Sequence, residues 1–329
     1  MTNRRFVLSA GLVALAAACA PKAKEPEGRT RIRFATDWKA QAEQGGFYQA
    51  LATGEYQKRG LDVEILQGGP GVNVPQLLAA GAIELGMGSN SFIVLNLAKE
   101  GIPVKAVAAF MQKDPQVLLA HPDQGVRSIA DMKGRPILLA SASREAFWVW
   151  LKAKYGFNDG QLRSYNYSSA PFLADKRSVQ QGYLSSEPYT IEKEAGIKPA
   201  VFLLADEGYP GYATMLLATD ALLASKPEAV RAFIQATAVG WKSYLKGDAA
   251  AGDALILKDN PEMTPELLAH ARTMMNQYGI VESGDSDKLG IGAMTDQRWA
   301  DFFKVASDQG IYDKGLDYRR AYSLDFLKG

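Results

Sequence analysis

The chain has 329 residues, 47% hydrophobic and 22% charged; these are ordinary values for a globular protein of two domains, and they exclude wholesale disorder and a polytopic membrane protein. Lys plus Arg number 37 against 36 for Asp plus Glu, a formal +1, so the positive field that nucleic-acid binding needs is missing. One Cys and two His exclude an intramolecular disulfide and a tetrahedral Cys and His zinc site within the chain.

Arg4 and Arg5 precede an apolar run from Phe6 to Ala18, broken only by Ser9 and Gly11. That is the layout of an export signal, and it is too short to span a bilayer. Cys19 follows Leu15-Ala16-Ala17-Ala18 and precedes the Pro, Lys and Glu-rich segment Pro21 to Gly28. The arrangement resembles the lipobox of bacterial lipoproteins, although Ala16 stands where that motif carries a bulky aliphatic. The resemblance implies a signal over residues 1–18, acylation of Cys19 and a linker over 19–28; the alternative is ordinary cleavage within Ala18-Cys19-Ala20. Asn3-Arg4-Arg5-Phe6-Val7-Leu8 also resembles a twin-arginine signal, and both export routes stay open. Loss of residues 1–18 removes two arginines and no acid, moving the formal charge from +1 to −1.

Beyond the linker, Arg31 to Thr36 reads as a strand, Gln41 to Lys58 as a helix stopped by Gly60, and Leu61 to Leu66 as an alternating strand. A glycine-rich turn at Gly68-Gly69-Pro70-Gly71 leads to a short helix ending at Gly81. A strand over Ile83 to Gly88, a helix over Ser91 to Lys99 and a strand over Val104 to Phe110 follow. After Lys113-Asp114-Pro115 the pattern restarts, with strands at Val117 to Ala120, Pro136 to Ala140, Leu162 to Tyr167 and Val201 to Leu204, and a helix at Phe147 to Lys154. Alternation of strand and helix predicts two α/β units with mainly parallel sheets. From Ser225 the chain turns helical. Ser225-Lys226-Pro227-Glu228 reads as a capping box, Thr264-Pro265 opens a second helix, and Thr295 to Gln309 carries Trp299, Phe302, Phe303 and Ala306 on a buried face.

Three strand ends bring small or polar residues to helix starts: Asp37-Trp38 with Gly45-Gly46, Ser89-Asn90-Ser91, and Ser141-Ala142-Ser143-Arg144. In a parallel sheet such ends gather along one crevice, where free backbone N–H groups meet ligand acceptors. Each of them can equally serve as a simple N-cap. Gly86-Met87-Gly88-Ser89-Asn90-Ser91 lacks the last glycine of a dinucleotide fingerprint, and the strand from Val104 carries no ribose-binding acid. His121 and His270 read as structural or surface histidines, and the scattered acids give no metal-site spacing. No cofactor and no metal are therefore expected. Glu187, set in Tyr183-Leu184-Ser185-Ser186-Glu187-Pro188-Tyr189, combines a carboxylate with tyrosines. That pairing suits a flat heteroaromatic ring bearing N–H donors, with Trp38 and Tyr48 as further stacking faces; a solvated acid in a surface turn is the plainer alternative.

Asp37-Trp38, Gly46-Phe47-Tyr48-Gln49-Ala50, Gly60-Leu61-Asp62-Val63-Glu64, Gly69-Pro70-Gly71, Ile129 to Pro136 and Ser185-Ser186-Glu187-Pro188 together resemble the periplasmic binding proteins that serve ABC importers of thiamine pyrimidine precursors. These are relatives of the taurine and alkanesulfonate binding proteins. The resemblance implies an α/β, type II periplasmic binding protein, with a discontinuous first lobe over residues 29–114 and 211–329, a second lobe over 115–210, and the ligand between them. Carried over by motif, the expected ligand contacts are Asp37, Trp38, Gly69, Pro70, Ser89 and Asn90 from the first lobe, and Ser141, Ser143, Asn166 and Glu187 from the second. It further implies a hinge motion and a monomer that docks on an ABC permease and its ATPase. The protein would sit in the periplasm or at the outer face of the cytoplasmic membrane, anchored there through lipid. Eukaryotic members of the family make the thiamine pyrimidine by consuming their own histidine with pyridoxal phosphate and iron; the matching position here is Gln44, so no enzyme activity is expected. A sulfonate or other anion, recognised by Arg144, and a flavin are the alternative cargoes.

Overall fold

Ten strands divide between two five-stranded sheets in a computed structural model that describes residues 28–327; the signal and Cys19 lie outside these residues. In chain order the strands are β1 (Thr30–Ala35), β2 (Leu61–Leu66), β3 (Leu85–Asn90), β4 (Val104–Met111), β5 (Gln116–Ala120), β6 (Ile137–Leu139), β7 (Leu162–Ser164), β8 (Val179–Tyr183), β9 (Ala200–Leu203) and β10 (Ala213–Thr219). The first sheet has the order β2-β1-β3-β10-β4 and the second β7-β6-β8-β5-β9. Each sheet is mixed, which corrects the mainly parallel reading. β1 runs parallel to β2 and β3, and β6 to β7 and β8, whereas β10 lies antiparallel between β3 and β4 and β5 antiparallel between β8 and β9. The antiparallel strand of each sheet is the one through which the chain arrives from the other lobe. It enters from the cleft side, whereas β1, β3, β6 and β8 end there.

Helices cover the sheets for the reason their sequences give. The helix Pro227–Lys246 buries Val230, Phe233, Ile234 and Trp241 along one stripe, and the Phe233 ring lies 5.2 Å from that of Phe34 in β1. The helix Asp296–Asp308, capped by Thr295, buries Trp299, Phe302, Phe303 and Ala306 as its spacing predicts. Other expectations fail locally. The reading of one helix over Gln41 to Lys58 gives way to a 3-10 turn at Ala42–Gln44 and a helix of only Gly45–Ala52. At Ser225 the capping box does not form: Lys226 is the N-cap, and the Ser225 hydroxyl donates to Ala221 O at 2.7 Å, ending a preceding short helix. Among the described residues no helix is long and apolar enough to cross a membrane.

Asp114 sits where the chain leaves the first lobe. It is 1% exposed, and its Oδ1 accepts the Gln116 N–H at 3.0 Å. Burial pushes its carboxyl up to about 7, against the pull of that amide. A folded value above the unfolded one means that the stabilisation is complete at acid pH and is lost as pH rises through about 7. Asp114→Asn is therefore expected to raise the melting temperature at about pH 8 and to flatten its decline between about pH 4 and about pH 7, an effect on the order of a few kcal/mol. Parallel melting curves against pH for the two proteins would refute the assignment.

Candidate functional site

The end of β1 is locked into shape by the loop after β2. Thr36 Oγ1 donates to Trp38 O at 2.7 Å and accepts Gly68 N–H at 3.0 Å, while the same N–H reaches Trp38 O at 3.0 Å. A Cβ at Gly68 would collide with Thr36 O and lie 2.6 Å from the carbonyl carbon of Asp37, so only glycine allows this approach. Asp37 and Trp38 are thereby presented at the cleft floor with little freedom. From β3, the Ser89 side chain and amide hydrogen-bond to the Asp37 carboxylate; burial nonetheless dominates and pushes that group up to about 6.

On the opposite wall, Glu187 opens the helix Glu187–Ala195. Its Oε2 accepts the Tyr183 N–H at 2.7 Å and its Oε1 the Tyr165 hydroxyl at 3.2 Å. Gly182 makes room, since a Cβ there would lie 2.9 Å from Glu187 Cβ. Burial raises the Glu187 carboxyl, and the nearby negative charge of Glu43 adds to the rise. Glu43, buried in the 3-10 turn of the first lobe, accepts a hydrogen bond from Ser185 Oγ of the second, and its carboxyl is also raised by burial.

Two further contacts join the walls. Trp38 and Tyr167 bring their ring centroids to 4.4 Å, with Tyr165 5.4 Å beyond Tyr167. At the rim, Tyr189 lies 4.5 Å from His270 of the helix Pro265–Gln277. Tyr167 is held at φ +65°, left-handed backbone that a bulky residue adopts only under constraint. The loop after β7 thus departs from the predicted strand at Ser164 and delivers two tyrosine faces into the cleft. The site offers three partly dehydrated carboxylates whose hydrogen-bond partners are neutral, together with indole and phenol faces. Such a surface accepts N–H donors and stacks on planar rings.

Asp37, Trp38, Ser89 and Glu187 are brought together here. Asn90 caps the helix Ser91–Lys99 through Phe92 N–H at 3.1 Å, and buried Ser91 is bound to Tyr212. Gly69 and Pro70 lie in the open loop beyond Gly68; Ser141 is exposed after β6, Ser143 is buried, and Asn166 is exposed between the two tyrosines. Tyr48 is not a stacking face, because its ring is buried in the first lobe with its hydroxyl donating to Asp259 at 3.0 Å. Nor do Gly45 and Gly46 cradle a ligand: a Cβ at either would enter the ring of Tyr244 or Trp241. Arg144 stands with Trp148, Lys152, Asp159 and Leu162 around a shallow surface depression. His121 is structural, buried against Phe172 and hydrogen-bonded to its carbonyl at 2.8 Å. Among the described residues no group of His, Cys, Asp and Glu is placed to hold a metal ion. Glu43, Gly68, Tyr165 and Tyr167 escaped the sequence reading; the Tyr165-Asn166-Tyr167 triplet, aromatic on both sides of an amide, was the available signal.

The family described as NMT1/THI5 like matches residues 41–251. The riboflavin-binding protein RibY of Chloroflexus aurantiacus is 25% identical over 72% of this chain and 68% of its own length. The formylaminopyrimidine-binding protein of Halalkalibacterium halodurans is 23% identical over 68% of this chain and 67% of its own. The periplasmic aliphatic sulphonate-binding protein SsuA of Escherichia coli superposes with a TM-score of 0.65 at 15% identity, covering 93% of this chain and 95% of that one. This last likeness establishes the two-lobed periplasmic-binding-protein fold.

Proposed function

Because the chain belongs to the NMT1/THI5-like family, we propose that it is the exported solute-binding component of an ABC importer, with an aminopyrimidine of the thiamine-precursor type as its cargo. It captures this planar nitrogen heteroaromatic between its lobes and presents it to a permease and ATPase. The observation that carries the reading is the meeting of Asp37, Glu43 and Glu187 with the rings of Trp38, Tyr165 and Tyr167 at one cleft. An exocyclic amino group supplies donors to the carboxylates, and the ring stacks on the aromatic faces. The relative that is named for formylaminopyrimidine binding supports this choice.

A flavin is the second reading, favoured by the relative named for riboflavin. Its pyrimidine edge sets two carbonyl oxygens beside a single N–H, and carboxylates repel those oxygens, so the aminopyrimidine is the better match. A sulfonate fits less well, since the cleft presents acids and Arg144 lies at the surface depression beside Lys152. The synthase reading lacks its donor histidine: Gln44 is buried and its side chain closes a capping box with Gln41.

Thermal shift of the chain from Ala20 onward tests the proposal, with 4-amino-5-hydroxymethyl-2-methylpyrimidine, its formylamino analogue, riboflavin and taurine as probes. A ligand at a hundred times its Kd adds about 2.7 kcal/mol, a rise of roughly 4 °C. A rise with riboflavin alone transfers the assignment to flavins, and a rise with taurine alone refutes the acceptor-site reading. Arg144→Ala is expected to leave the pyrimidine shift unchanged, with stability altered by less than about 0.5 kcal/mol. Loss of the shift in this variant would return the site to an anion.

A further inference from the structure

The chain crosses between the lobes twice, after β4 and before β10, and one side chain of the helix Asp296–Asp308 reaches both crossings. Arg298 donates through Nη2 to Gln112 O and through Nη1 to Gln112 Oε1 at 3.2 Å, on the first crossing. On the second crossing its guanidinium lies 4.2 Å from the centroid of the Tyr212 ring, with Nε and Nη2 each 3.4 Å from the carbonyls of Pro210 and Gly211. Both partners are themselves fastened to the first lobe. Gln112 Nε2 donates to Ala293 O at 2.9 Å and Gln112 N–H to Ile280 O at 2.7 Å; the Tyr212 hydroxyl donates to Asp285 and accepts Thr295 N–H at 3.0 Å. On the far side, Pro115 O takes Leu184 N–H and Leu204 O takes Tyr209 N–H, each at 2.9 Å, tying the crossings to the second lobe. What stays between the two anchored sides is the backbone at Asp114, whose side chain alone is held by Gln116 N–H, on one crossing, and the link from Tyr209 to Pro210, whose carbonyl Arg298 already holds, on the other.

We propose that Arg298 is the hinge-positioning residue of this protein: its planar fork clamps both crossings to the first lobe and confines lobe motion to the residues next to Asp114 and Pro210. A guanidinium suits the task because it offers five donors in a fixed plane and stacks on an aromatic face at the same time. Lysine keeps the charge and covers Tyr212 with its stem but can reach only one crossing. The inference rests on the two-lobe binding reading for its consequence, a closing geometry that is the same from one binding event to the next; its test uses no ligand.

Electron spin distances in the chain from Ala20 provide that test. This form retains every described residue and lacks the single cysteine, Cys19. Nitroxides at Gln76→Cys and Lys176→Cys report across the lobes, and a pair at Gln76→Cys and Lys99→Cys reports within the first. In Arg298→Met the population outside the wild-type interlobe range is expected to rise about tenfold, the equivalent of about 1.4 kcal/mol from lost charged hydrogen bonds, while the intralobe distance keeps its width. Arg298→Lys should fall between the two. An interlobe distribution superimposed on the wild type overturns the proposal, and so does equal broadening of the intralobe pair, which would mark Arg298 as a general prop of the first lobe. Should Arg298→Met fail to fold, Arg298→Lys decides alone: interlobe broadening supports the clamp and superposition overturns it.

Discussion

Glu187→Gln is expected to weaken binding of 4-amino-5-hydroxymethyl-2-methylpyrimidine about 100-fold, close to 2.7 kcal/mol, with the fold intact. Shape is conserved by this exchange, and the amide oxygen can still accept the Tyr183 N–H that the carboxylate now holds at 2.7 Å. What disappears is a charged acceptor in a site that burial has stripped of water, and an NH2 group takes the place of Oε1, where it meets the Tyr165 hydroxyl that Oε1 now accepts at 3.2 Å and the ligand's own N–H donors. Charged hydrogen bonds contribute about 1.5–3 kcal/mol, and two donors set against each other add to the loss. The unliganded protein should not suffer, because burial and Glu43 already disfavour the ionised Glu187. Isothermal titration at about pH 7.5 gives the answer. A Kd within threefold of wild type, in a protein that melts normally, would remove Glu187 from the binding site and leave Asp37 and Glu43 as the acceptors to exchange next.

A second large effect concerns stability. The helices Gly45–Ala52 and Pro227–Lys246 cross with glycine against glycine. A Cβ on Gly240 would collide with Gly46 O and lie 2.7 Å from Ala50 Cβ and 2.8 Å from Ala50 N. Helix propensity alone favours Gly240→Ala by about 1 kcal/mol. The obstruction includes backbone that cannot rotate away, and overpacking of this kind costs about 1–3 kcal/mol or more. The sign should therefore reverse, with Gly240→Ala about 3 kcal/mol less stable and its midpoint lowered by roughly 4–5 °C. Gly69→Ala, where a Cβ meets nothing within 4 Å, serves as the neutral control. An unchanged or raised midpoint for Gly240→Ala would mean that the two helices part readily enough to admit the methyl group. Because Gly45–Ala52 follows directly on the turn that carries Glu43, the same variant should also bind the pyrimidine less well.

Much of the architecture was legible because burial and periodicity agree. Leu61 to Leu66 alternates and forms β2, and the apolar stripe of residues 230–245 buries where expected. β8 was not legible, since Val179-Gln180-Gln181-Gly182-Tyr183 carries two glutamines in its middle. Their burial is helped by partners outside the strand: Gln181 Oε1 accepts Ala140 N–H at 2.7 Å and Gln180 Nε2 donates to Ser169 Oγ at 3.0 Å. β10 has the opposite character, a buried apolar run without alternation, which periodicity alone does not separate from a helix segment. The site divides in the same way. Asp37 and Glu187 could be singled out by their neighbours in sequence, whereas Glu43 acquires its meaning from Ser185 across the cleft, and Tyr167 from a backbone conformation that its sequence does not announce.

The placement of β10 governs the order in which the protein can be assembled. The second sheet draws all five strands from one continuous stretch, Gln116 to Leu203, so it can close as soon as that stretch is available. The first sheet cannot close then: its strand between β3 and β4 is Ala213–Thr219, which pairs Ala213 with Asn90 and Met111. Until it arrives, β3 and β4 are separated and each presents an unpaired edge. Pairings of such separation in sequence form slowly, and exposed strand edges invite association with other chains. A chain made from its N-terminus therefore completes its second lobe first, and until residue 219 is available the edges of β3 and β4 are where its first lobe is open to association.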